Sequence, residues 1–206
     1  MALERFNGSQ PEIVDYFGHV VLKRLSPQMH DFLLSCALFE RFDGELCDHV
    51  LERSGSALLL EDLAARELFM LPVAEQPGCY RYHALLHDFL AKRLSLHKPL
   101  EVPRLHGRAA LVFRQRGELE PALQHAQRCG EPALFQALLE EACDLWVRTG
   151  HFAEVLKWLE PLSEVQLRES PRLLVAVMMI VQVMIGMVLD LTPTILIFAP
   201  VMLPIA

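Results

Sequence analysis

The last 34 residues of this 206-residue chain, Leu173–Ala206, contain a single charged side chain, Asp190. The 17 residues from Leu173 to Leu189 have Gln182 as their only strongly polar side chain. A helix that crosses a bilayer needs about 20 apolar residues, with about 17 as the lower limit. Residues 1–172, in contrast, carry nearly all of the formal net charge of −7. The sequence therefore predicts a water-soluble body followed by a C-terminal hydrophobic membrane-type segment.

The hydrophobic segment also contains a pattern that is typical of membrane sites. Pro193, Pro200 and Pro204 interrupt its apolar run. Such prolines are typical of broken or re-entrant membrane helices, whose freed carbonyl groups line a polar site. A carboxylate inside a membrane is costly, which makes Asp190 a candidate functional residue. A soluble core would instead have to bury this carboxylate unpaired, so we favour the membrane interpretation.

Residues 66–90 indicate the fold of the soluble body. An apolar run over 68–73 stops at a strong turn signal, Glu75-Gln76-Pro77-Gly78. Cys79–Tyr82 then alternates as a strand does, with the aromatic side chains on one side. From His83 onwards the apolar residues recur at helical spacing. A helix, one β-hairpin and further helices predict a winged-helix domain, which we place at residues 26–100 of a mainly α chain.

Helical patterns also precede the predicted hairpin. Pro11 lies near the first turn of an amphipathic stretch, so residues 1–25 are predicted to be a helical lead-in. Phe42-Asp43-Gly44 is predicted to be a turn. Ser56 is predicted to cap a helix over residues 57–69, the position of the recognition helix in a winged-helix domain.

The charge of that helix argues against DNA recognition. Glu61, Asp62 and Glu67 outnumber Arg66, whereas a helix that reads a DNA groove should be basic. The net negative charge of the body likewise lacks the basic footprint of a nucleic-acid-binding protein. We therefore expect no direct nucleic acid binding and a winged helix that serves as a packing module.

Residues 101–172 contain an internal repeat. The segment Phe113–Leu119 (FRQRGEL) has a counterpart 33 residues later, Trp146–Phe152 (WVRTGHF). An aromatic residue on one helix, a glycine at the turn and apolar residues on the next helix are typical of paired-helix repeats. Two TPR-like units are visible, fewer than the three or so that such arrays usually need.

No group of residues predicts catalysis or metal binding. His83 and His87 are four residues apart on a predicted helix, but the metalloprotease pattern needs a glutamate where Ala84 stands, and no third ligand is placed. The five cysteines are odd in number and include no CxxC pair, so we expect buried reduced thiols. We expect no enzymatic activity, no cofactor and no metal.

Several blocks of the body match a known family pattern. The most telling are Glu67-Leu68-Phe69 and Tyr80-Arg81-Tyr82-His83, on either side of the predicted wing, together with Met29–Phe39 and Leu90–Leu94. Over roughly residues 5–172 the chain resembles the MalT-type regulators, large ATP-dependent transcriptional activators of the LuxR group. Tyr80, Arg81, Tyr82 and His83 are the candidate winged-helix signature.

The resemblance to MalT-type regulators implies more domains than this chain shows. In that family an ATPase domain precedes the winged helix, helical repeats bind an inducer, and a helix-turn-helix ends the chain. This sequence has no GxxxxGK[ST] phosphate loop and no basic reader domain. We therefore expect the middle of such a regulator, with residues 1–25 as the end of a lost NTPase module.

The hydrophobic segment resembles a different family. The string GMVLDLTPTILIFAPVMLPIA, residues 186–206, contains Gly186, Asp190, Thr192, Pro193 and Pro200. It is similar to the large membrane subunit of TRAP-type transporters, the DctM family, over about residues 175–206. This resemblance implies sodium-driven transport of C4-dicarboxylates and makes these five residues candidate transport-motif positions. The family's other helices are missing, so we expect no transport by this chain alone.

Together these patterns predict a non-enzymatic relay and protein-interaction module of a MalT-like regulator, lacking the ATPase and DNA-binding domains. Its helical repeats, residues 101–172, would bind an unidentified protein or inducer partner. Residues 173–206 would associate with a membrane, while the body would be cytoplasmic. The alternatives are a fragment of a TRAP permease subunit in the inner membrane and an artefactual fusion of two reading frames.

Overall fold

The computed structural model describes residues 22, 25–66, 69–162 and 170–188, with side chains as far as residue 183. The chain divides into two compact units, Met1–Pro132 and Ala133–Ala206. Nearly all of the helical lead-in predicted for residues 1–25 lies outside the described residues. The boundaries predicted at residues 25, 100 and 172 stay predictions.

The first unit contains a winged-helix domain followed by a helical pair. The winged-helix elements are α1 (Pro27–Cys36), β1 (Phe42–Asp43), α2 (Gly44–Leu51), α3 (Ser56–Ala65), β2 (Met70–Pro72), β3 (Cys79–Tyr82) and α4 (Ala84–His97). The helical pair consists of α5 (Glu101–Gln115) and α6 (Leu119–Cys129). The predicted mainly α fold with a winged helix is confirmed.

The sheet has one strand more than the sequence predicts. β2 and β3 form the predicted hairpin, and the sheet order is β1-β3-β2 with all pairs antiparallel. The predicted turn at Phe42–Gly44 is wrong, because Phe42 pairs with Tyr80 and Asp43 pairs with Cys79. A two-residue strand is too short to show an alternating pattern, so the sequence gives no signal for it.

Side chains cap the first two helices of the domain. The Ser26 hydroxyl accepts the N–H of Met29 at 3.3 Å at the start of α1. Asp43 Oδ1 accepts the N–H of Leu46 at 2.8 Å at the start of α2. Each cap satisfies a backbone donor that the first helical turn leaves without a partner. The same aspartate therefore ends β1 and begins α2.

The start of α3 differs from the prediction. Its N-cap is Gly55, with φ of 82°, and not Ser56. Ser56 is the first helical residue, and its N–H donates to Asp48 Oδ1 at 3.0 Å. α2 and α3 approach closely here, since a Cβ on Gly44 would lie 2.7 Å from the Ala57 Cβ. α3 also ends earlier than predicted.

Apolar side chains from all four winged-helix helices and the sheet meet in one core. Burying each large side chain of this kind contributes about 1.5–3 kcal/mol relative to leaving it in water. The bulkiest of those that are almost fully buried are Phe32, Leu33, Phe39, Phe42, Leu46, Leu60, Leu63, Leu86, Leu90 and Leu94.

The second unit is described in three helices. They are α7 (Pro132–Thr149), α8 (Phe152–Leu159) and α9 (Pro171–Val188). α9 buries Leu173, Ala176 and Ile180, which recur at helical spacing on one face. Val175 and Met179 are exposed, at 55% and 46% of their surface. The described part of α9 therefore has one packed side and one apolar exposed side.

The internal repeat of the sequence reappears in the backbone at two helix ends. Gly117 follows α5 with φ of 75°, and Gly150 follows α7 with φ of 78°. Both turns show the Schellman pattern, in which two N–H groups close the end of the helix. These bonds run from Gly117 to Arg114 (3.0 Å), Glu118 to Phe113 (2.9 Å), Gly150 to Val147 (3.3 Å) and His151 to Trp146 (2.8 Å).

The membrane-type segment predicted for residues 173–206 is not supported by the part of the chain that the structure describes. In that part no helix combines the length and the apolar character that a membrane crossing needs. Residues 189–206, which hold most of the candidate transport motif, lie outside the described residues.

Candidate functional site

A cleft of about 720 Å³ lies in the first unit, where the wing turn at 76–78, the start of α2 and the α5–α6 turn meet. This volume falls within the usual range for ligand pockets, about 300–1,000 Å³. Leu38, Phe113 and Pro121 give the cleft an apolar wall. Its charged and titratable lining includes Arg41, Asp43, Glu45, Arg116, His125 and Arg128.

Arg116 forms the principal polar contact in this cleft. Its Nη1 donates to Asp43 Oδ2 at 2.7 Å and its Nη2 donates to Asp43 Oδ1 at 2.9 Å. The Nη2 atom also donates to Glu45 Oε2 at 3.1 Å. The Arg116 and Asp43 side chains are 23% and 32% exposed. Such a bidentate, partly desolvated ion pair is more specific and stronger than an ordinary surface pair.

The electrostatics of this ion pair favour its charged state. Burial by itself would raise the pKa of Asp43, but hydrogen bonds from Arg116 and from the Leu46 N–H outweigh it and lower that pKa. The hydrogen bond to Asp43 in turn raises the pKa of Arg116. Both groups are therefore ionised throughout the physiological pH range.

A second arginine attaches α5 to the other end of α2. Arg108 Nη1 donates to the Val50 carbonyl at 3.3 Å, and its Nη2 lies 2.9 Å from Glu52 Oε1. Arg116 contacts the beginning of α2 and Arg108 contacts its end. α5 therefore runs antiparallel to α2 and is attached to it at both ends.

A pair of buried histidines lies behind the cleft, between α5 and α6. His106 Nδ1 and His125 Nδ1 are 2.8 Å apart, and each residue is 6% exposed. The His125 ring stacks on Phe113 at 5.3 Å and lies 5.6 Å from the Phe39 ring. This cluster joins the helical pair to the segment that follows α1.

The histidine pair is uncharged at neutral pH. Burial lowers the pKa of His106 to about 4, with Arg128 adding to the effect. Burial lowers the pKa of His125 to about 3, with contributions from His106 and Arg128. Since two neutral rings share the short contact, one ring donates its Nδ1–H and the other accepts it.

The signature residues of the wing have mainly structural roles. The Tyr82 hydroxyl is buried and donates to the Leu33 carbonyl at 3.0 Å, and its ring lies 4.8 Å from that of Phe42. His83 is the N-cap of α4. Tyr80 is half-buried, and Arg81 is exposed beside a second surface depression, which it helps to line. Tyr82 therefore attaches α1 to the sheet, and His83 begins α4.

The described residues contain no group of three or more His, Cys, Asp or Glu side chains arranged to hold a metal ion. His83 packs its ring edge-on against Phe69 at 6.3 Å. His87 lies 3.9 Å from Asp88 through its Nδ1. The two histidines therefore have protein contacts that explain their positions.

Of the candidate transport residues, only Gly186 lies in the described part of the chain. Gly186 lies in α9, beyond the last described side chain. Asp190, Thr192, Pro193 and Pro200 lie outside the described residues.

Sequence patterns do not predict the contacts of Arg116, Asp43 and the two histidines. The pattern around Asp43 predicts a turn, and Arg116 stands out only as part of the repeated block. A weak signal was available, because Asp43 precedes a helix at a capping position. No sequence rule pairs it with an arginine 73 residues away.

The fold and cleft define a winged-helix domain joined to a helical pair, and comparison with known families specifies it further. Residues 18–102 match the model of the MalT winged helix domain. Residues 18–102 are therefore similar to the MalT winged helix domain, in agreement with the fold of this part of the chain.

Curated relatives agree with this assignment. The serine/threonine-protein kinase PknK of Mycobacterium tuberculosis (strain H37Rv) is 31% identical over 139 residues, which is 68% of this chain and 12% of PknK. The HTH-type transcriptional regulator MalT of Vibrio cholerae is 25% identical over 159 residues, or 77% of this chain and 18% of MalT. The chain thus spans less than a fifth of the length of either relative.

A second family model matches the C-terminal part of the chain. Residues 145–206 match the DctM component of the tripartite ATP-independent periplasmic transporters. This match begins within α7, ahead of the boundary predicted near residue 172. It covers a small region and supports a fusion only weakly.

Proposed function

We propose that the first unit is a non-enzymatic relay and protein-interaction module of a MalT-like regulator. It would transmit changes in the helical repeats to the winged helix, and the repeats would take up a protein or inducer partner. The attachment of α5 to both ends of α2 through Arg108 and Arg116 carries this proposal.

The geometry supports transmission because the attached elements are continuous. Asp43, the residue that receives Arg116, is also the last residue of β1 and the cap of α2. A displacement of the α5–α6 turn therefore acts directly on the sheet that carries the wing. Coupling between sites needs such a contiguous set of packed and hydrogen-bonded elements.

The surface of α3 supports a packing role for the winged helix. Glu61 and Asp62 are exposed on it, and Asp62 pairs with Arg66 at 2.9 Å. A DNA backbone would meet two carboxylates and an arginine that is already paired, which disfavours phosphate contacts. We propose no direct nucleic acid binding, in contrast to the usual role of this helix position.

Hydrogen exchange of the full chain tests the relay directly. Arg116→Ala is expected to increase exchange in β1, in the first turn of α2 and in the wing turn, as well as in the α5–α6 turn. Arg148→Ala is the control, because Arg148 lies in the last turn of α7 and forms an exposed pair with Asp144. Increased exchange confined to the α5–α6 turn would contradict the relay.

Binding measurements test the rest of the proposal. Labelled ATP and a random-sequence duplex DNA are expected to show no saturable binding to the full chain at moderate salt concentration. Saturable binding of ATP would mean that the chain is itself a nucleotide switch, and salt-dependent DNA binding would mean that the winged helix reads or grips DNA.

The match to the DctM component favours a second candidate, a fragment of a membrane transporter subunit. Under the first proposal the body is cytoplasmic, and under the second the chain lies in the inner membrane. Cell fractionation separates them: retention in membranes after carbonate extraction supports the transporter fragment, whereas recovery in the soluble fraction rules it out. Dicarboxylate uptake by cells that express only this chain is expected to be absent.

A further inference from the structure

Two cysteines meet in the centre of the winged-helix core. Cys36 is the last residue of α1 and Cys47 lies within α2, and their Sγ atoms are 3.4 Å apart. Both residues are completely buried, and both thiols are free. The two sulfur atoms touch while unbonded, and a disulfide requires them to approach to about 2.05 Å.

We propose that Cys36 and Cys47 form a dithiol that hydroperoxides oxidise to an intramolecular disulfide, and that this pair is a redox modification site of the winged-helix domain. The sulfur contact leaves about 1.4 Å for the two atoms to close before the bond forms. Cys36 also ends its helix and is followed by a turn at 37–38, so a local shift at one end of α1 brings the sulfur atoms together without unwinding α2.

The reaction balances in two steps. A thiolate of the pair attacks one peroxide oxygen, the O–O bond breaks, and the departing oxygen leaves as water or an alcohol after taking up a proton. The product is a sulfenic acid. The second thiol then attacks the sulfenic sulfur, the S–S bond forms, and water leaves. Two thiols are oxidised, one peroxide is reduced, and a small thiol reductant restores the dithiol.

The surroundings of the pair determine the speed and the consequence of this reaction. Burial and the contact with Cys47 raise the pKa of Cys36, so little thiolate is present and oxidation waits for local opening of the core. The buried Tyr82 phenol is influenced electrostatically by both thiols. Since Tyr82 also bonds to the Leu33 carbonyl of α1, disulfide formation displaces the same helix end that the wing signature holds.

Peptide mapping of the folded full chain tests the proposal. Trypsin separates the two cysteines into peptides 25–41 and 42–53, while Cys79 lies in 67–81 and Cys129 and Cys143 share 129–148. After treatment with hydrogen peroxide, free thiols are alkylated under denaturing conditions. We expect peptides 25–41 and 42–53 to be linked, with a mass about 2 Da below their sum. This linkage should exceed any other by roughly tenfold and disappear after reduction.

Matched samples distinguish a built pair from chance pairing. The same treatment in guanidinium chloride should give mixed linkages without the excess. Cys47→Ala should abolish the linkage, whereas Cys143→Ala, at another buried cysteine, should leave it unchanged. The wild-type thermal midpoint should shift on oxidation and return on reduction. Full alkylation of Cys36 and Cys47 after exposure that oxidises Cys129, or equal linkage to Cys79, would overturn the proposal without affecting the relay function.

Discussion

The turns at Gly117 and Gly150 have the same local structure in different surroundings. Both follow a helix, both place a glycine at positive φ, and both close the helix with the same two hydrogen bonds. Before the first turn, Phe113 is 8% exposed and Arg116 forms a partly buried pair with Asp43. Before the second, Thr149 stands at the position equivalent to Arg116. The neighbouring arginine, Arg148, pairs with Asp144 and leaves the two side chains 72% and 61% exposed.

This difference shows which part of a repeat is local and which is tertiary. The Schellman turn depends on a glycine and on hydrogen bonds between residues three and five positions apart, so an equivalent sequence reproduces it. How much the neighbouring aromatic and arginine side chains contribute to stability depends on which residues the fold packs against them.

The largest difference is expected at the aromatic position. Phe113→Ala should lower the free energy of unfolding of the first unit by about 3 kcal/mol, because it leaves a cavity beside Phe39 and His125. Trp146→Ala, at a half-exposed position, should cost about 1 kcal/mol in its own unit. Urea denaturation of the full chain followed by circular dichroism and by hydrogen exchange of each unit measures both. Equal losses of unfolding free energy in the two variants would contradict the expected difference between the two turns.

The histidine pair should make the first unit sensitive to mild acid. Its folded pKa values of about 4 and about 3 lie below the ordinary value of 6.5, so the unfolded chain takes up protons first as the pH falls. The stability that the neutral pair contributes is complete above pH 6.5 and decreases below it. The loss amounts to about 2–4 kcal/mol at pH 5.

A double variant isolates this effect. His106→Leu combined with His125→Phe should flatten the stability profile of the first unit between pH 7 and pH 5. His49→Gln is a suitable control, because His49 is bonded only to the Glu45 carbonyl within an exposed part of α2. Parallel profiles for the wild type and the double variant would contradict neutral burial of the pair.

A moderate difference is expected at the two arginines. Arg116→Ala should cost about 2 kcal/mol, because it leaves the partly buried Asp43 carboxylate without its bidentate donor. Arg148→Ala should change stability by no more than about 0.5 kcal/mol, as exposed i,i+4 pairs do. Arg116→Lys should recover only part of the loss, since lysine lacks the planar fork. Chemical denaturation of all three variants gives the values.

The smallest difference is expected at the glycines themselves. Gly117→Ala and Gly150→Ala should each cost about 1 kcal/mol, since a Cβ meets no atom within 4 Å at either site and only the positive φ is strained. The two costs should agree within about 0.5 kcal/mol. A clearly larger cost at either glycine would mean that the two turns are not equivalent.

The wing shows how far sequence patterns reach. Apolar runs, a Pro-Gly turn and a change of period were sufficient to predict β2, β3 and α4, because each signal lies within a few neighbouring residues. β1 is not predicted, because two residues are too few to show an alternating pattern. Its pairing with β3 joins Phe42 to Tyr80, far apart in the sequence. The cap of α3 was assigned to the wrong residue, since Asp48 of the preceding helix satisfies the Ser56 N–H.

The sequence by itself determined the winged helix, the acidic surface of α3 and the repeated helix ends, because capping, turn chemistry and apolar period act over four or five residues. The tertiary structure alone decided the contacts that make the candidate site. Arg116 meets Asp43 across 73 positions, His106 meets His125 across 19 and Cys36 meets Cys47 across 11. Such pairs arise from the packing of separate elements, which no local pattern encodes.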